Sequence, residues 1–158
     1  MATYPLARLI GLRKHRQDDA SRLKSLAQKK LEQSKNAVIT KKKEIEEYKI
    51  WKEEEIVRRY DAIMFKQMTS EGFESFKQGI ANLEFGLLKL MEELEECKKD
   101  VDTKKNNLLQ AEAELKEAIA ALNKLEEHRK MWIESQRIEH ERAEEKELED
   151  FKVKKNVI

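Results

Sequence analysis

The side chains able to do chemistry are few and far apart. Three histidines, His15, His128 and His140, are the natural candidates for holding a metal ion. Their separations match no zinc-ligand spacing. If the chain doubled back, His15 and His128 would approach each other with Glu127 as a third donor, but ordinary surface histidines explain them more simply. The single cysteine, Cys97, cannot form an internal disulfide. It falls on an apolar stripe, where a thiol fills core volume rather than reacts. Carboxylates abound, with 32 Asp plus Glu, yet a carboxylate becomes an acid or base catalyst only where burial or a neighbour tunes it. A glycine-rich loop to cradle phosphate is missing. The sequence therefore predicts no catalytic, cofactor-binding or metal site, and no enzyme.

The elements that would carry these side chains are set by the scarcity of helix breakers. The chain has 158 residues with one Pro and four Gly, and 41% of its residues are charged, 33 basic against 32 acidic. High charge with so little punctuation predicts long helices. Pro5 stands at the front, where its missing N–H costs a helix nothing. Between Gly11 and Gly72 neither breaker occurs, an interval of about sixty residues that would span roughly 90 Å as one helix. The glycines at 72, 79 and 86 then mark the middle of the chain as the joint between two arms. No stretch is apolar for long enough to cross a membrane, and no apolar segment of a secretory signal is visible at the start.

The second arm carries a regular stripe. Phe76, Ile80, Leu83, Leu87, Leu90, Leu94, Cys97, Val101, Lys104, Leu108, Ala111, Leu115, Ala118, Leu122, Leu125, Arg129, Trp132, Gln136, Glu139 and Ala143 alternate spacings of four and three, and only Lys104, Arg129, Gln136 and Glu139 are not apolar. Such a heptad pattern supercoils left-handedly against a partner helix. The first arm is rougher. One line runs Leu9, Arg13, Arg16, Ala20, Leu23, Ala27, Lys30, Ser34, Ala37, Lys41, Glu44, Tyr48 and Trp51; a second holds Leu12, Leu26, Val38, Ile45, Ile56, Ile63 and the nearby Tyr60. Small residues there permit close approach, and Lys and Arg stems can cover apolar surface while their charges stay wet.

These patterns predict an all-α, two-helix antiparallel coiled-coil hairpin forming a single domain over 1–158. Its first helix covers about 6–66, the turn about 67–75, and the second helix about 76–150. Thr69 or Ser70 would cap the second helix. Phe65, Phe73 and Phe76 gather at the turn with Met64 and Met68, either sealing the hairpin end or forming a binding knob. This register sets Leu9 and Ile10 opposite Met131 and Trp132, and leaves the last fifteen to twenty or so residues projecting past the first helix. Heptads alone do not separate an intramolecular pair from a dimer; the mid-chain glycines favour a monomeric hairpin.

Charge placement says more than net charge, which is +1. Arg8, Arg13, Lys14, His15 and Arg16 make a basic start, whereas Glu139, Glu141, Glu144, Glu145, Glu147, Glu149 and Asp150 dominate the other terminus. Acidic residues interrupt most basic stretches, so nucleic acid is not an expected partner. Patterned charge of both signs suits protein partners.

Tyr4-Pro5-Leu6, followed by Leu9, Leu12, Arg13, Arg16, Asp18 and Ala20, opens the chain in a way that resembles the YscO-like stalk proteins of type III secretion systems, related to the flagellar export stalk proteins. Size, two-helix layout and the acidic C-terminal extension extend the resemblance over essentially the whole chain, nearest to the chlamydial-type and pathogen secretion versions. It implies a cytoplasmic, membrane-peripheral component that looks like the shaft of a rotary ATPase. Its implied partners are the hexameric secretion ATPase, the cytoplasmic domain of the export gate and, in some members, chaperones of translocator proteins. The terminal end of the hairpin would then enter or cap the ATPase ring. Arg13 and Arg16 match the family's basic opening; Arg8, Trp132 and Arg137 complete the candidate partner contacts. For Trp132, packing against Leu9 or Ile10 competes with anchoring a partner. A generic coiled-coil scaffold and a substrate escort that ignores the ATPase are the competing readings.

Overall fold

The computed structural model describes residues 2–156 and is a two-helix hairpin: α1 spans Ala7–Ile63 and α2 spans Ser70–Asn156. Among the described residues there are no strands, and no helix is long and apolar enough to cross a membrane. The chain divides into two compact units, one formed by residues up to Ser25 with those from Gln110 onward, the other by Leu26–Leu109.

In the second unit, the stripe read on α2 is the packed one. Phe76, Ile80, Leu83, Leu87, Leu90, Leu94, Cys97, Val101, Lys104 and Leu108 are all buried or half-buried. In the first unit the same line continues through Ala111, Leu115, Ala118, Leu122 and Leu125, skips the exposed Arg129, and ends at Trp132 and Gln136.

The seam of α1 departs from the line expected. In the first unit it runs Ile10, Arg13, Gln17, Ala20 and Lys24; in the second, Ala27, Leu31, Ser34, Val38, Lys41, Ile45, Tyr48, Lys52, Glu55 and Arg59. Half of the expected positions belong to it, but Arg16, Leu23, Lys30, Ala37, Glu44 and Trp51 are exposed, and the residue following each is the buried one. The cause is polar seam residues whose aliphatic stems do the covering. Lys41 and Lys52 keep only 20% and 12% of their side-chain surface exposed, and their ammonium groups cross to Glu93 (3.0 Å) and Glu84 (2.9 Å) on α2. The carboxylate of Glu93, and then that of Glu44, hold the Lys41 ammonium above its usual pKa. Ser34, buried in the seam, donates to the Leu31 carbonyl at 2.7 Å and so enters it satisfied.

Because Glu84 remains largely solvated, Lys52→Met would strand no buried charge and would extend the apolar seam. The expected result is a stability unchanged or raised by up to about 1 kcal/mol. A urea midpoint shift equivalent to a loss of more than about 1 kcal/mol would show that the ion pair itself holds the register.

The chain reverses earlier than expected, within 64–69 rather than 67–75. Phe65 adopts a left-handed backbone (φ 64°), which ends α1. The Met64 N–H donates to the Tyr60 carbonyl and that of Lys66 to the Ile63 carbonyl. Thr69 caps α2 as expected, its Oγ1 accepting from the Gly72 N–H at 3.0 Å. Moving the reversal about four residues shifts the pairing on α2 by about eight. In the first unit Ile10 accordingly packs with Leu122 and Leu125, and the residue beside Trp132 is Tyr4 instead of Leu9 or Ile10.

The glycines are not the joint. Gly72, Gly79 and Gly86 all lie inside α2 without positive φ. Spaced seven apart, they share one flank of the seam. Side chains of α1 lie against two of them, Arg59 against Gly79 and Tyr48 against Gly86. The Tyr48 hydroxyl passes over Gly86 to donate to the Leu83 carbonyl at 2.7 Å.

Candidate partner-binding surface

The first unit contains the densest aromatic arrangement near the candidate residues. Tyr4 immediately precedes Pro5, and its carbonyl accepts from the Ala7 N–H at 3.2 Å, turning the segment into α1. This turn lays the Tyr4 ring on α2, where it is 7% exposed. Its hydroxyl bonds to His128 Nδ1 at 2.5 Å, and its ring meets Trp132 edge-on with centroids 5.4 Å apart. Tyr4, Ile10 and Leu122 form a small buried cluster against which Leu125 and Trp132 pack.

A groove of about 950 Å³ opens beside this cluster, lined in part by Tyr4, Ala7, Trp132, Ile133, Arg137 and Glu144. Arg137 is gripped on its own helix. Its guanidinium donates to Glu134 at 2.5 and 3.1 Å and to Glu141 at 2.6 Å. The two carboxylates push the Arg137 pKa upward, and the bond from Arg137 lowers that of Glu134. From Arg137 to Asn156 every residue of α2 is exposed. This stretch relies on pairs one turn apart, including His140 with Glu144 at 3.5 Å.

The five candidate residues thus separate into groups. Trp132 and Arg137 share the groove. Arg13 and Arg16 line a smaller hollow of about 330 Å³ with Glu114, Glu117, Ala118 and Ala121. Arg13 is half-buried in the seam, whereas Arg16 and Arg8 are exposed. Tyr4, which lines the groove and packs on Trp132, is not among the five candidates read from the sequence. Its signal was an aromatic residue directly before the proline that starts α1, outside any helical period.

The three histidines are engaged by side chains of this chain. His15 pairs with Asp19 on its own helix at 3.2 Å, and His128 bonds Tyr4. Among the described residues, no three His, Cys, Asp or Glu side chains lie together as a metal site. Cys97 is half-buried beside a shallow hollow shared with Ala37 and Lys41.

The fold defines the class first: a two-helix coiled-coil hairpin whose hollows are open strips along the helices. The profile described as "Type III secretion protein YscO" matches residues 6–154, and the chain belongs to this family of type III secretion stalk proteins. The solved structure of a YscO homolog from Chlamydia trachomatis superposes with a TM-score of 0.74 at 23% identity, covering 96% of this chain and 93% of that one, and so shares the fold. No curated protein matches the sequence.

Proposed function

We propose that the protein is a non-enzymatic central-stalk component of a type III secretion apparatus, cytoplasmic and peripheral to its membrane-embedded part. In this reading it couples the secretion ATPase hexamer to the cytoplasmic domain of the export gate, and chaperones of translocator proteins are a third class of partner. Family membership over 6–154 is the observation that carries the reading. The surface supports it through two chemically distinct regions. The first unit joins an aromatic groove and a basic start to a solvated, acidic stretch of helix. The second unit ends in an apolar reversal.

The mechanism is mechanical. The first unit engages the ATPase ring and the reversal of the second faces the gate. Arg8 and Arg16 present exposed cations to ring carboxylates, and Trp132, supported by Tyr4, supplies an apolar contact of the kind that dominates interface energetics. Unlike charges on one surface favour one ring subunit at a time, which would couple hydrolysis to delivery of export substrates. The isolated protein is a monomer in this reading, testable by sedimentation.

The purified cognate ATPase is expected to co-purify with the chain. The Arg8→Glu/Arg16→Glu variant should bind about tenfold or more weakly, mainly through a slower, salt-sensitive on-rate, with unchanged helical circular dichroism. Arg13 is left intact because it also packs in the seam. Lack of co-purification of the unmodified chain at low salt would overturn the ATPase reading.

A further inference from the structure

Phe65 is hard to explain by folding. It takes the left-handed conformation (φ 64°) where glycine or asparagine would end α1 without steric penalty. The residue is also fully exposed, at 101%, so no packing offsets that penalty. Its aromatic neighbours differ. Phe76 meets Tyr60 edge-on at 5.0 Å, and the Lys77 ammonium lies 4.6 Å over the Phe73 ring. The bonds Met64 N–H to Tyr60 C=O and Lys66 N–H to Ile63 C=O hold the backbone on either side of Phe65, so the ring is presented from a fixed turn. Met64 and Met68, 57% and 42% exposed, flank it with adaptable apolar surface. An observed backbone outlier joined to an unrepaid exposed aromatic points to a role outside the folded chain.

We propose that Phe65 is the anchor of a docking knob that seats in an apolar pocket of a partner protein, a pocket carrying a carboxylate at its rim. Lys66, the one charged residue within 64–69, is the group that this carboxylate meets. A lipid surface fits less well. Around the reversal Arg58, Arg59, Lys66 and Lys77 are matched by Glu55, Asp61, Glu71 and Glu74, and Glu55 already holds both arginines, which leaves no basic excess to hold anionic headgroups. The proposal rests on the reading that the reversal faces the export gate, and it names the residue and pocket chemistry of that contact.

The test uses the full chain, its Phe65→Gly and Phe65→Asn variants, the purified cytoplasmic domain of the cognate gate protein, and vesicles containing anionic phosphatidylglycerol. Both substitutions should raise the thermal midpoint, by about 3 °C, because the turn is relieved. Both should also weaken binding to the gate domain at least about tenfold. A residue serving only the fold cannot be made more stable and less adhesive by one change. If the unmodified chain binds and the variants bind equally, the knob is overturned while the gate reading stands. Absence of gate binding by the unmodified chain removes both. Variants that melt lower, or Phe65-dependent binding to vesicles but not to the gate domain, overturn the protein-pocket assignment.

Discussion

Ile45→Ala is expected to lower the unfolding free energy by about 3 kcal/mol, whereas Leu23→Ala costs less than about 1 kcal/mol. Ile45 is 5% exposed in the α1 seam; Leu23 is 48% exposed one position off it. Truncating a buried isoleucine loses its transfer free energy and leaves a void, and a two-helix seam has few neighbours with which to fill that void. Truncating an exposed leucine mainly removes contact with water. Trp51→Ala belongs with Leu23 despite its size, being 43% exposed and contributing chiefly a tilted contact with Tyr48 at 5.6 Å. Urea unfolding checks the ranking through midpoints at constant slope. Equal costs for Leu23 and Ile45 would mean that Leu23 packs in the seam after all.

That contrast shows what the sequence could and could not convey. The packed line of α2 was legible because nearly every position on it is apolar, so chemical type and burial coincide. On α1 they part. Arg13, Gln17, Lys24, Lys41 and Lys52 pack by their stems, while Leu23, Ile39 and Ile50 point to water. A pattern written in hydrophobicity cannot register a buried methylene chain under a wet ammonium. The reversal was misplaced for a related reason. Its left-handed residue is Phe65 rather than a glycine, and the three mid-chain glycines serve close packing within α2. In the candidate surface, Trp132 and Arg137 were visible as residue types. The neutralising grip of Glu134 and Glu141 and the support from Tyr4 depended on register that only the fold supplies.

Gly86 gives the second large effect, and its sign depends on a residue of the other helix. In an isolated helix, Gly→Ala stabilises by about 1 kcal/mol through backbone entropy. Here a Cβ would overlap the Tyr48 hydroxyl and crowd its ring carbon at 3.1 Å. The ring must then swing away from the Leu83 carbonyl, forfeiting a bond worth about 1 kcal/mol and adding about 1–3 kcal/mol of overpacking strain. The expected net result for Gly86→Ala is a loss of about 1–3 kcal/mol. Tyr48→Ala costs stability by itself, but in that background the overlapping atoms are gone and Gly86→Ala should stabilise by about 1 kcal/mol. The double-mutant cycle therefore carries a coupling of about 2 kcal/mol or more, with the glycine substitution changing sign between backgrounds. Additivity would show that Tyr48 can move aside freely and that the close approach does not require Gly86. A sign change would establish that this glycine lets a tyrosine of α1 reach the backbone of α2, fixing register where the polar seam on its own would allow slippage.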